Sequence, residues 1–150
     1  MMNFIFLNVI CPFCGTFAFA VLFCVPKKYY LQCGLTGLVG WLVYLFASHH
    51  TSVAMATFFG TLGVVLLSRG LTVIMRCPIT MFLVPGIFPL IPGAGVYNTA
   101  FYLVTSQLDK ASASGLNAIK VAFAIVAGIV FVVPIPRELF RLEYWRRKIG

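Results

Sequence analysis

The chain has almost no acid. Three carboxylate residues, Asp109, Glu138 and Glu143, stand in 150 residues, and charged residues of both signs make up only 9%. A soluble domain carries roughly a quarter charged residues. With a hydrophobic fraction of 61% and a mean hydropathy of +1.02, the apolar surface exceeds what a water-soluble fold of this length can hide. A soluble globular domain is thereby excluded, and an all-α integral membrane protein is what remains. The net charge of +8 does not signal nucleic acid. The basic residues lie in short clusters between apolar runs, as the loops of a membrane bundle do.

Other features are missing too. No basic region precedes the first apolar segment, which argues against a signal peptide. No soluble domain, low-complexity tract or clear repeat interrupts the chain. What is present is a single transmembrane domain with about five apolar segments, near residues 4–25, 31–47, 53–75, 78–105 and 116–133. The first is about 22 residues, long enough for a hydrocarbon core of about 30 Å. The third reaches Met75 if Arg69 snorkels to the interface. A basic amphipathic tail, 134–150, follows Pro134 and Pro136, and such a segment suits an anionic leaflet.

The loops set an orientation. One side receives Lys27, Lys28, Arg69, Arg76 and the five tail charges Arg137, Arg141, Arg146, Arg147 and Lys148; the other receives Lys110, with Lys120 just inside the fifth segment. The richer side is expected to be cytoplasmic. With five spans the N-terminus lies outside and the C-terminus inside. A re-entrant fourth segment would instead put the charged tail outside.

The fourth segment contains the sharpest feature, MFLVPGIFPLIPGAGVY, from Met81 to Tyr97. It holds three prolines and three glycines. Pro85, Pro89 and Pro92 are four and three apart, so they share one helical face. Each removes the usual donor to the carbonyl four residues back, at Met81, Pro85 and Phe88. A fresh helix can begin near Gly93, where unpaired N–H groups and the positive dipole end favour a carboxylate. Non-helical backbone at membrane depth is tolerated where it is buried in protein or lines a cavity. Many transporters bind solute at such broken helices. The plain alternative is a proline kink, which is common in membrane helices.

The motif VPGIFPLIPGAGVY resembles the signature of the threonine/serine exporter family in its C-terminal, or small-subunit, half. That half shows a Pro-Gly, then Pro-Leu-x-Pro-Gly, then a tyrosine. The preceding LSRGLTVIMRCPITMF and the first-helix ending FAFAVLFCVPKK are similar as well. The resemblance covers essentially the whole chain. It implies an inner-membrane exporter of small carboxylate-bearing metabolites, threonine and serine or a dicarboxylate such as succinate. It also implies a larger partner subunit carrying the family's N-terminal half, in an oligomer of one or two kinds of chain. By position it brings over Pro85, Gly86, Pro89, Pro92, Gly93 and Tyr97. Gly95, Asn98 and Thr99 join the candidate solute-binding set by proximity to the break.

The dearth of acid bears on coupling. Proton-coupled transporters generally need an ionisable group at membrane depth, and no carboxylate lies in the middle of a segment here. Proton coupling would therefore place its carboxylate on the partner. No catalytic residue, cofactor or metal site is expected. Cys11 and Cys14 have the spacing of a redox pair, which keeps a membrane thiol oxidoreductase as an alternative. Cys24, Cys33 and Cys77 form no second pair by sequence, and small buried thiols are the plainer reading. His49 and His50 read as a solvated turn, with pH sensing as the sharper option. Gly34, Gly37 and Gly40, and the pair Ala124 and Gly128, are small residues that let helices approach, inside the chain or at a subunit interface. A purely structural or assembly subunit is the other class that remains open.

Overall fold

In a computed structural model of the protein, residues 2–134 are described, without side-chain detail for residues 2–6. The amphipathic tail expected over 134–150 lies outside that range from residue 135 on, as do Glu138 and Glu143. Among the described residues six α-helices follow one another: α1 Met2–Leu22, α2 Tyr30–Ser48, α3 Val53–Met75, α4 Thr80–Ile87, α5 Gly93–Val104 and α6 Leu108–Val132. Short 3-10 turns occupy Lys27–Tyr29 and Phe88–Leu90. No strand occurs among the described residues. The protein is an all-α membrane protein.

Residues 27–48, α3 and α6 are each long and apolar enough to cross a bilayer. α4 with its 3-10 turn and α5 are bent by 51° and count as a fourth span if the pair crosses as one. α1 is 21 residues long.

The helix ends are written into the backbone. At the end of α1, Val25 N–H bonds to Ala20 O and Cys24 N–H to Val21 O, with Cys24 left-handed at φ 53°. That is a Schellman ending, and Pro26 then prevents continuation. α5 ends the same way, with Gln107 N–H on Tyr102 O, Ser106 N–H on Leu103 O and Ser106 at φ 58°.

Small residues decide the packing. Gly34 and Gly37 of α2 face Phe13 and Thr16 of α1, and Gly40 faces Val64 of α3. A Cβ on Gly60 would lie 3.0 Å from Gly40 O, so α2 and α3 meet almost backbone to backbone. Gly128 of α6 has no room either, with Thr61 of α3 2.9 Å from a Cβ built there. These small-residue stripes serve contacts within the chain. α3 is the centre. It buries Thr57, Gly60, Thr61, Val64, Val65, Ser68, Arg69 and Thr72 against its neighbours. Val64 and Val65 form one apolar cluster with Leu83, Leu90, Val121, Ile125 and Val132.

Arg69 does not snorkel. It is 6% exposed and donates from Nη2 to Val133 O at the cap of α6. The carbonyls at a helix C-terminus lack intrahelical donors and attract a cation, which explains why the side chain turns inward.

Candidate functional site at the broken helix

The break divides the motif into two environments. α4 begins beyond Pro78 and packs beside α2. Pro85 is fully buried, and Gly86 is buried where a Cβ would stand 2.8 Å from Thr36 Cγ2 and 3.0 Å from Val64 Cγ1. These two residues let α4 lie against α2 and α3. They are packing positions. Leu90 reaches Gly60 of α3, and Phe88 stacks on Phe19 of α1 with ring centroids 3.9 Å apart.

The three carbonyls that the prolines deprive of helical donors, at Met81, Pro85 and Phe88, do not stand free. Each has a donor from the protein. Cys33 Sγ–H donates to Met81 O at 3.3 Å, from α2. Phe88 N–H donates to Pro85 O, and Ile91 N–H to Phe88 O at 3.2 Å. The second and third bonds tighten the chain into a 3-10 turn, the ordinary repair for an interrupted helix. The first is a long-range bond between residues 48 apart, which no local pattern in the sequence announces.

Beyond Pro92 the surroundings change. Gly93 N–H turns back to Ile91 O at 2.8 Å, and the first helical bond of α5 is Val96 N–H to Pro92 O at 3.1 Å. Among the described residues, Ala94 and Gly95 N–H then have no backbone acceptor. They sit at the positive end of a twelve-residue helix. Gly93 is open, with nothing within 4 Å of a Cβ built on it.

The nine candidate residues are not gathered around one point. Gly95 faces α6, with a Cβ there 3.3 Å from Ala118 Cβ. Thr99 is one turn further on the same face. Its hydroxyl donates to Gly95 O at 2.7 Å, and its methyl lies against Gly115. Tyr97 is 69% exposed and stacks on Phe101, on the outward face shared with Gly93. Asn98 is exposed and Pro92 half-buried. Pro89 lines a cavity of about 250 Å³ with Cys11, Pro12, Gly15, Trp41 and Phe88. The open donors of the motif are therefore at Ala94 and Gly95, and the open approach is at Gly93.

The cysteines divide differently from expectation. Cys33 and Cys77 are buried, whereas Cys11, Cys14 and Cys24 are exposed and all five are free thiols. Cys77 lies in the turn between α3 and α4, where burial pushes its thiol up and the Lys28 charge partly offsets that. No cluster of metal-ligating side chains occurs among the described residues.

The helix count, the apolar spans and the mid-segment break with donors at its restart describe a transporter-like membrane domain. A family model described as Threonine/Serine exporter, ThrE, matches residues 8–135. Comparison with curated proteins gives no match. Comparison with solved structures gives none either. The family match covers most of α1, all of α2 to α6 and the whole proline-glycine motif, and the chain belongs to the threonine/serine exporter family.

Proposed function

We propose that the chain is the small subunit of an inner-membrane exporter of small carboxylate-bearing metabolites, working with a larger subunit that carries the family's N-terminal half. Threonine, serine and a dicarboxylate such as succinate are the solutes to try first. The observation that carries the reading is the restart of the helix at Gly93. It combines an open backbone approach with the Ala94 and Gly95 N–H groups at the positive end of α5. A carboxylate is the natural guest of such a helix start. The α4–α5 bend joins a limb packed between α2 and α3 to a limb that packs along α6 and buries none of its residues, which suits alternating access. In this reading α1, α2, α3, the bent pair and α6 make five spans. The N-terminus is outside, and Lys27, Lys28 and Arg76 face the cytoplasm.

A second reading has its own support. α5 buries none of its residues. A partner subunit covering α5 would make the motif an interface element that never meets solute. Accessibility at Gly93→Cys, in a chain otherwise free of cysteine, separates the two. Protection by added solute supports a solute site, whereas protection only by the partner subunit supports an interface.

The test of the function itself is co-expression with and without a candidate larger subunit, followed by efflux of radiolabelled threonine, serine and succinate from loaded cells. Efflux requiring both chains is the expected result. Efflux by this chain alone would remove the two-subunit reading.

A further inference from the structure

The buried face of α3 carries a charge that the broken helix does not use. Ser68, Arg69 and Thr72 lie within about 100° of helical arc, given about 100° per residue, and all three are buried. Arg69 spends one Nη2 hydrogen bond on Val133 O. Among the described residues its Nε has no partner, and neither has the Ser68 nor the Thr72 hydroxyl.

Two contrasts make this cluster unlike the rest of the molecule. Arginine stays protonated in proteins, so it cannot escape burial by becoming neutral. A buried charge without a counter-ion is strongly unfavourable. Yet Asp109, the one acid among the described residues, lies in the first turn of α6, at the opposite end of that helix from Val133. The hydroxyls differ as well. Thr16, Thr36, Thr57, Thr61 and Thr99 each donate to the carbonyl four residues back. Ser68 and Thr72 do not, although Val64 and Ser68 offer carbonyls in the same relation. Their donors are left for something else.

We propose that Ser68, Arg69 and Thr72 form a receptor for the carboxylate of a small molecule, separate from the broken helix. The planar guanidinium matches a carboxylate with paired N–H donors. The two hydroxyls supply further donors from the same helix face. A single cation accommodates a single carboxylate. Among the described residues no acid stands by to hold an ammonium, so the site recognises the anionic end of its ligand. Leu90 packs at the level of Gly60, and Arg69 is nine positions further along α3. That is roughly 14 Å at about 1.5 Å per residue, so the receptor is a second station along the same central helix. Identifying its ligand with the exported solute rests on the exporter reading; the site itself does not.

The test uses the full-length protein in nanodiscs, melted in sodium acetate against sodium chloride at equal ionic strength. Acetate is the simplest carboxylate probe, and acetamide is its neutral control. Ligand that binds only the folded state raises the melting temperature with concentration. Acetate is expected to do so in the wild type and acetamide is not. Arg69→Gln is expected to weaken the apparent acetate affinity at least about tenfold, the loss of a charge-assisted pair. Since this change also removes the bond to Val133, Ser68→Ala/Thr72→Val is measured beside it. That double variant keeps Arg69 and deletes two unsatisfied hydroxyls. It is expected to melt higher in chloride and to bind acetate roughly threefold more weakly. A wild type that responds to acetate no more than to chloride would overturn the receptor. So would a double variant, or a folded Arg69→Gln, with an undiminished acetate response. Failure of the exporter reading would show separately as absent efflux and would leave the acetate result standing.

Discussion

α4 and α5 are two limbs of one broken segment, and they meet opposite surroundings. α4 is wedged between α2 and α3, with Phe82, Leu83, Pro85 and Gly86 buried. α5 buries none of its residues and packs along α6 through Gly95 and Thr99. The prolines of the first limb are absorbed by packing and by substitute hydrogen bonds. The glycine that opens the second limb stands clear of the protein. The same residue types thus do different things on either side of Pro92. A proline-glycine motif is informative about function only where the backbone it frees is left unpaired.

The comparison can be broken most forcefully at Gly86. Gly86→Leu drives a side chain into Thr36 and Val64, both branched at Cβ and unable to yield cheaply. Overpacking of that kind costs about 3 kcal/mol, and loss of folded protein and of efflux together is expected by size-exclusion profile and transport assay. Gly93→Leu is the matched change on the second limb. It meets open space, so melting temperature and membrane insertion should stay at wild-type values while efflux is abolished. Gly95→Leu should fall between them. Its side chain presses on Ala118 and pushes α5 off α6 at about 2 kcal/mol, visible as faster hydrogen exchange in α5 than in α4. The smallest change is Cys33→Ala. It removes the donor to Met81 O and a small buried volume. About 1–2 kcal/mol of destabilisation follows, read by thermal melting, with efflux retained.

Several of these features were legible in the sequence. Composition alone indicated a helical membrane protein, and Pro92 followed by Gly93 marked where the helix restarts. The fate of the freed carbonyls was not legible. Cys33 reaches Met81 from another helix, and no local periodicity encodes that contact. Arg69 misled for a related reason. Near the end of an apolar run an arginine reads as a snorkelling residue, but its partner here is the end of α6, known only once the helices are assembled. Cys11 and Cys14 read as small buried thiols, whereas the side of α1 they occupy is exposed. Which face of an evenly apolar helix packs inward is weakly specified when lipid, too, is apolar.

The most direct measurement is efflux of radiolabelled threonine, serine and succinate from loaded cells expressing the larger subunit with either the wild-type chain or Gly93→Leu, both confirmed in the membrane at equal amounts. The account predicts efflux of at least one label with the wild-type chain and none above background with Gly93→Leu. Equal efflux from the two would contradict it, because the open backbone at the restart of the helix would then have no part in moving the solute.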